Sequence, residues 1–533
     1  MKETKLTQPM IDVIQSNNGL KVYLNGLSAG RAATPRSNLY NLEGKTTVLE
    51  PDDILKRWME KLGTLKAGNL FEQRVFQFDI SQAEKWGPQG EIAPYSDLAE
   101  TVVYPSFERQ AYPSAFSTMG WEAAKARVRK LLTSNGVYGL RPAAYRNVVD
   151  DMRARDTLES NSGWPHFTRR SNPDVVALAI QAAENGAWQS YPAIALFRNY
   201  RQKTRLVWMY PLAVNLVEGS FFQPLQSAIM RSDILSSGFF APWSGFEAVR
   251  KLITMRWSSR SVEDGTHRSI AASDFSATDA HFRLRATLEV YDVIKFCFAP
   301  AYRPALLRSM TYMHEIPLIV GTDTMLVGEH GVSSGSNWTN FVETIFDCIF
   351  AEYVSEVCRS MEAPLQYVGL YAIGDDMAWV TNVYDQRFAK VLQDLGKTVG
   401  QDIKEDKTMN ERDMVKSLQR LFQCGYCRPD GEVRAVYSTV RALNSLVFPE
   451  RFHSPKVWTK DNEVIRAFMI LENCVDHPLF REFCTFVAKG DPYMSEFART
   501  SREYKDRMLR LSRSLPGLNA TYNQEKRDQK LSD

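Results

Sequence analysis

Three aspartates carry the first chemical signal in this chain. Asp274 closes a short apolar run, and much later Asp375 and Asp376 follow Gly374 in a Gly-Asp-Asp step. Two carboxylates brought side by side repel unless a hard cation lies between them. Mg²⁺ is commonly held by one or two carboxylates together with substrate phosphates. Two such ions roughly 3.5–4 Å apart activate an attacking hydroxyl and stabilise a departing pyrophosphate. We read Asp274 and Asp375 as metal ligands and Asp376 as a weaker or indirect one. A basic signal precedes them: Arg198, Arg201, Lys203 and Arg205 fall within eight residues with no acid among them. Positive side chains at this density suit a triphosphate and the pyrophosphate it releases.

The elements that must position these groups can be read from periodicity. Ser269 to Ala272 reads as a buried strand ending at Asp274, and residues 283–298 follow with helical character. Residues 336–356 place Phe341, Val342, Ile345, Phe346, Ile349, Phe350 and Tyr353 on one apolar helical face. Tyr367 to Ile373 and Met377 to Val380 are strand-like runs pinched around Gly374-Asp375-Asp376, a hairpin signal. If the two strand systems are neighbours, Asp274 comes to lie beside Asp375. Strands and helices mixed in this order predict an α+β layer, an antiparallel sheet backed by helices.

Composition bounds the rest. A chain of 533 residues, 44% hydrophobic and 24% charged, exceeds what one core supports and should be multi-lobed. No apolar run approaches the roughly 18 residues of a membrane span, and Met1 to Gln8 lacks the apolar core of a signal peptide. Seven cysteines form an odd, sparse set that suits a reducing compartment. Cys424 and Cys427 have no second pair at zinc spacing. His281 and His330 show no metal-ligand spacing and read as packed or surface residues. The net charge of +3 hides an uneven distribution: Trp121 to Arg205 holds 14 basic and 7 acidic residues. A basic groove set against an acidic remainder suits a partner that combines phosphates and metal ions.

The ordered set of motifs resembles that of viral RNA-dependent RNA polymerases. Ser273 to Asp279 (Ser-Asp-Phe-Ser-Ala-Thr-Asp) is similar to their motif A, Ser334 to Thr339 to motif B, and Tyr371 to Asp376 to motif C. Arg198 to Arg205 resembles the basic motif F, and Ser160 to Pro165 (Ser-Asn-Ser-Gly-Trp-Pro) resembles motif G on the template path. Leu395 to Lys407 resembles motif D, and Leu418 to Tyr426 falls where motif E would lie. The wording around motifs A to C is most like the picobirnavirus enzymes, with those of partitiviruses next.

The resemblance implies a right-hand polymerase with fingers, palm and thumb around an enclosed channel. The lobes expected are an N-terminal bridging segment (1–64), fingers (65–264), palm (265–410, with a fingers insertion about 299–332), thumb (411–512, mostly helical) and a polar tail (513–533). It implies Asp274, Asp375 and Asp376 as catalytic metal ligands for two Mg²⁺ ions, Mn²⁺ being compatible with the same oxygen ligands. Lys407 stands at the position of a general acid toward pyrophosphate, with Lys404 and Lys397 as competitors. Nucleotide contacts are expected from Arg198, Arg201, Lys203, Arg205, Asp279, Ser334, Gly335, Thr339 and Asn340. Template contacts are expected from Ser160, Gly163, Trp164 and Pro165. Asp279, where DNA-making enzymes usually place a bulky aromatic gate, favours ribonucleotides. Glu343 stands where the family often has Asn, and Asn340 would have to face the wrong way round the helix for a simple substitution. Expected partners are RNA template and product, ribonucleoside triphosphates and a viral capsid protein, for a monomer without a membrane, inside the virion and in the host cytoplasm during infection. The alternatives are a reverse transcriptase, disfavoured by Asp279, and an inert RNA-binding relative, disfavoured by the three aspartates together.

Overall fold

A computed structural model of the chain describes residues 1–155, 157–234, 238–258, 268–361 and 367–512. The expected tail, 513–533, lies outside the described residues. Among the described residues twelve strands form three sheets. In chain order they are β1 (Lys2–Lys5), β2 (Ala193–Tyr200), β3 (Lys203–Met209), β4 (Ser269–Asp274), β5 (Leu318–Ile319), β6 (Thr324–Val327), β7 (Tyr367–Ile373), β8 (Asp376–Thr381), β9 (Met409–Glu411), β10 (Met414–Ser417), β11 (Arg420–Gln423) and β12 (Val436–Tyr437).

The central sheet is antiparallel, in the order β7-β8-β4-β9. Every residue of β4 before Asp274 is buried, because this interior strand is covered on both faces and so reads as a continuous small-apolar run rather than an alternation. Its register pairs Asp274 with Asp376. The β7–β8 ladder closes at Ile373–Asp376 around a two-residue turn. Gly374 takes φ +58° there, a conformation glycine adopts at little steric cost.

The helix Trp338–Ser360 packs against β7 and is buried on nearly all sides. Its apolar residues join Trp121, Phe275, Phe282 and Trp379 in the largest of four hydrophobic cores. A second core surrounds β2, β3 and the start of the helix Leu212–Arg231, and a third unites residues 54–78 with the C-terminal helices. A fourth fills the space between β4, β8, the helix Phe246–Ser258 and β10–β11. Several cores in one long chain are what the surface-to-volume argument requires.

The basic hairpin β2–β3 belongs to a separate five-stranded sheet, order β1-β6-β5-β2-β3. The first residues of the chain thus supply its edge strand. Further on, Thr34 donates to the Glu450 carbonyl and Trp58 packs on Phe483 and Phe486. The region after residue 411 is less purely helical than expected. It opens with the small sheet β10-β11-β12 before turning helical, because Val415 and Phe422 bury in the fourth core and Leu421 in the third from short strands.

Candidate active site

The β4–β8 register makes the two strand systems neighbours and places Asp274 directly across from Asp376, with Asp375 at the turn. Thr278 donates to the Asp375 carboxylate at 3.4 Å and to the Phe275 carbonyl at 3.0 Å, tying the segment after β4 to the turn. Burial pushes the Asp376 carboxyl up to about 7, and the Asp375 and Asp274 charges add to this. Asp375 is also raised, first by burial and then by Asp274, against the pull of a backbone N–H, Arg205 and Thr278. The acids crowd one another, and among the described residues no Lys or Arg forms an ion pair with Asp274, Asp375 or Asp376, as in a cation-binding cleft. Among the described residues no three His, Cys, Asp or Glu side chains form a ready-made metal cage. Mg²⁺ does not need one, since it takes much of its shell from phosphate and water.

Asp279 keeps part of its surface open to solvent while protein atoms crowd its carboxyl. Burial raises its carboxyl to about 6, helped by Asp375 and opposed by Arg205 and Lys203. This separates the basic run into two halves. Lys203 and Arg205 act on the acids of the cleft. Arg198 instead makes a two-pronged ion pair with Glu450 at 2.7 and 2.8 Å. Arg201, at a turn with φ +51°, is buried and donates to the Gln82 carbonyl.

The loop before Trp338 is held from several sides. Thr339 donates to the Ser333 carbonyl at 2.7 Å, closing the loop on itself. Ser334 is exposed, and its hydroxyl accepts the Trp208 N–H at 3.3 Å. A Cβ on Gly335 would lie 1.8 Å from the Trp208 carbonyl oxygen, so only glycine lets the loop approach β3 so closely. Asn340 is exposed, and its amide would lie 2.8 Å from a Cβ on Gly374; the Glu343 carboxylate would lie 3.3 Å from the same point. The expectation that Asn340 faces the wrong way is therefore corrected. Residues three apart share a helix face, and both side chains look at the aspartate turn. Glu343 is buried there, which raises its carboxyl well above the usual range, while Asn340 reaches the cleft.

Of the template-side residues, Ser160 is exposed and Pro165 half-buried, but Trp164 sits in the second core. A Cβ on Gly163 would meet the Tyr210 carbonyl at 2.4 Å. Gly163 and Trp164 build the loop from behind rather than presenting a surface. Lys404 pairs with Asp402 at 2.8 Å, whereas Lys407 is exposed and lines a cavity of about 760 Å³ together with Asp274 and Asp376. His281 Nδ1 lies 2.8 Å from the Ser276 carbonyl and His330 is fully buried, both in packing roles. Cys424 and Cys427 form neither a disulfide nor part of a metal set among the described residues.

The motif reading missed a buried polar network. Glu218, 1% exposed, accepts from Ser336 Oγ at 2.5 Å, Asn337 N at 2.8 Å and Asn215 Nδ2 at 3.1 Å. Asn215 also donates to the Gly335 carbonyl, and its amide oxygen accepts from Arg170, which donates in turn to the Asn161 carbonyl. One cluster thus holds the template-side loop and the Ser334–Asn337 loop together. Burial raises Glu218 to about 7 despite its donors and Arg170. The available signal was one acid within the apolar run Leu212 to Phe222. Asp347 is a second omission. It is wholly buried behind the aspartate turn with both oxygens lacking a hydrogen bond, and burial, Glu343, Asp375 and Asp376 raise it far above the carboxylate range.

Comparison with known proteins agrees with this geometry. A family model described as viral RNA-dependent RNA polymerase matches residues 200–435. The chain is 27% identical over 496 residues (89% of it, 85% of the relative) to a potential RNA-dependent RNA polymerase of a human picobirnavirus. It is 25% identical over 212 residues (39% and 38%) to an RNA-directed RNA polymerase of Cryptosporidium parvum virus 1. The fold matches the crystal structure of a human picobirnavirus RNA-dependent RNA polymerase, with TM-score 0.78 and 22% identity over 96% of this chain and 94% of that one. The fold is accordingly that of a right-hand polymerase. The family match runs from the turn of the basic hairpin through both aspartate strands, and over most of its length the chain is similar to a viral RNA-dependent RNA polymerase.

Proposed function

We propose that the chain is a template-directed RNA polymerase that joins ribonucleotides at Asp274, Asp375 and Asp376, and that it replicates and transcribes a segmented double-stranded RNA genome. The observation that carries this reading is the pairing of Asp274 with Asp376 across β4–β8, with Asp375 at the turn and Lys203 and Arg205 acting on the same cleft. Asp274 and Asp375 would hold two Mg²⁺ ions, or Mn²⁺, with Asp376 in support. Bound there, the ions supply activation of a 3′-hydroxyl and charge neutralisation of the leaving pyrophosphate.

The chain's own residues do the rest. Lys203 and Arg205 bind and orient the triphosphate. Asp279 accepts a hydrogen bond from the ribose 2′-hydroxyl, with Asn340 and Ser334 lining the same side of the cleft. Lys407, from its place on the shared cavity, delivers a proton to the departing pyrophosphate. Ser160 and Pro165 face the template on a loop that Gly163 and Trp164 anchor. Arg198, Arg201 and Thr339, held by protein partners, shape the cleft around these groups. On this reading the fingers are residues 65–264, the palm 265–410 with a fingers insertion about 299–332, and the thumb 411–512. Residues 1–64 bridge fingers and thumb. RNA and nucleotides are the substrates. A capsid protein is the partner of a monomeric enzyme working in the virion and the host cytoplasm, and among the described residues no helix is long and apolar enough to cross a membrane.

The test is synthesis by the purified chain on single-stranded RNA with four ribonucleotides and Mg²⁺, beside an Asp375→Ala control. Complementary RNA that disappears in the control is expected. Product made only from deoxynucleotides would identify a reverse transcriptase, and product equal with both proteins would refute the assignment of the site.

A further inference from the structure

The Gly374-Asp375-Asp376 turn is buried at its first residue and open at its second. In a two-residue hairpin the N–H of the first turn residue points away from the ladder and finds no partner on the facing strand. At Gly374 that donor is enclosed, and an enclosed N–H without an acceptor is costly. The acceptor comes from outside the sheet: the Gly374 N–H donates to Thr344 Oγ1 at 2.9 Å. Thr344 is 0% exposed and lies on the helix Trp338–Ser360, one turn beyond Asn340. Among the described residues no other hydrogen bond joins this helix to residues 374–376.

The polarity of this contact is fixed. Thr344 Oγ1 donates its one proton to the Asn340 carbonyl at 2.7 Å, so toward Gly374 it can only accept. A hydroxyl bonded to the carbonyl four residues back is an ordinary habit of threonine in a helix. That habit does not account for the second bond, which leaves the helix and reaches a residue 30 positions on. A relay thus runs from the Gly374 N–H through the Thr344 hydroxyl to the Asn340 carbonyl. One end holds the turn that carries Asp375 and Asp376. The other end is the residue whose side chain reaches the cleft. Thr278, from the segment after β4, grips the same turn by donating to the Asp375 carboxylate at 3.4 Å.

We propose that Thr344 is a positioning residue for the metal-holding carboxylates: by accepting the Gly374 N–H it fixes the turn, and with it the direction in which Asp375 and Asp376 present their oxygens. Gly374 sits at φ +58°, and glycine by itself moves among several backbone states. A buried hydroxyl bonded on both sides selects one of them, and branching at Cβ keeps that hydroxyl in place. Mg²⁺ demands near-ideal octahedral geometry, so a small rotation of the carboxylates is felt at the ion. The proposal rests on the reading of Asp375 and Asp376 as ligands of a divalent cation.

Metal binding without catalysis tests it. Full-length Thr344→Val keeps the shape and removes the acceptor, whereas Thr344→Ser keeps the acceptor and removes a methyl. Mn²⁺ binding, without RNA or nucleotide, is followed by loss of the free-ion electron paramagnetic resonance signal, beside melting temperature and steady-state synthesis with Mg²⁺. The worth of one hydrogen bond predicts Mn²⁺ affinity about fivefold weaker in Thr344→Val. In synthesis kcat should fall by a similar factor while nucleotide KM stays within about twofold of the parent. Thr344→Ser should bind Mn²⁺ as the parent does. If Thr344→Val does not fold, Thr344→Ala takes its place with the same expectation. A merely structural role would lower the melting temperature and leave the Mn²⁺ affinity of the folded protein unchanged. Parental Mn²⁺ affinity in folded Thr344→Val or Thr344→Ala, Thr344→Ser weakened as much as either, or a raised nucleotide KM at parental kcat overturns the proposal. Asp375→Ala separates it from the reading beneath. Parental Mn²⁺ affinity in Asp375→Ala refutes the metal assignment, whereas weakened binding there with parental binding in Thr344→Val refutes the role of Thr344 alone.

Discussion

Substitution of Glu218 tests whether the buried network, rather than the exposed motif residues alone, sets the nucleotide site. Glu218→Ala removes the acceptor of the Ser336 hydroxyl, the Asn337 N–H and the Asn215 amide in a site closed to water. Hydrogen bonds to a charged group contribute about 1.5–3 kcal/mol each, but three bonds to one carboxylate are not additive. Removing one partner of a buried charged cluster costs about 3–5 kcal/mol, and that is the loss expected here. Most of it falls on the Ser334–Asn337 loop, because the carboxylate is a principal tie between that loop and the Leu212–Arg231 helix, beside the Asn215–Gly335 and Asn337–Asn215 bonds. Glu218→Gln keeps the shape and a carbonyl for Asn337, and its amide can face a rotated Ser336 hydroxyl. Its cost should be about 1–2 kcal/mol. The assays are thermal denaturation and nucleotide KM on a fixed template. Each 1.4 kcal/mol transmitted to binding is about tenfold, so Glu218→Ala should raise KM by at least about tenfold and Glu218→Gln should recover most of it. Because Glu218 titrates near 7, the difference between parent and Glu218→Gln should narrow at lower pH. Parental melting and KM in Glu218→Ala would refute the reasoning.

Further outcomes follow from the same geometry. Asp279, Asp376 and Glu218 hold protons in the folded chain that the unfolded chain has released, their pKa values being about 6, about 7 and about 7. Without metal, stability should therefore fall as pH rises from about 4 to about 7, and saturating Mg²⁺ should flatten that slope in melting curves; a metal-independent slope would place the cations elsewhere. Gly335→Ala forces a Cβ to 1.8 Å from the Trp208 carbonyl, so we expect a loss of about 1–3 kcal/mol with a raised nucleotide KM, and a parental KM would show that the loop can retreat. Asp279→Ala should relax discrimination against deoxynucleotides, measured as a ratio of kcat/KM, and unchanged selectivity would assign sugar reading to Asn340 or Ser334.

The chemistry of this protein is written locally. Asp274 ends a strand because a buried run of small apolar residues stops there, and Gly374-Asp375-Asp376 turns because glycine tolerates positive φ; both were legible from residue type and period. The basic run and the helix after Gly335 were legible from residue type and period, as was the resemblance to viral RNA-dependent RNA polymerases, because their motifs are short and ordered. Contacts between distant segments were not legible. Nothing in Arg198-Asn199-Tyr200-Arg201 says that Arg198 pairs with Glu450 or that Arg201 turns toward Gln82 and Arg441, since those partners lie far along the chain. The burial of Trp164 and the Glu218 network belong to the same class. Period and residue type determine which face a side chain occupies, whereas its partner is decided by how the cores pack against one another, and that exists only in the folded chain.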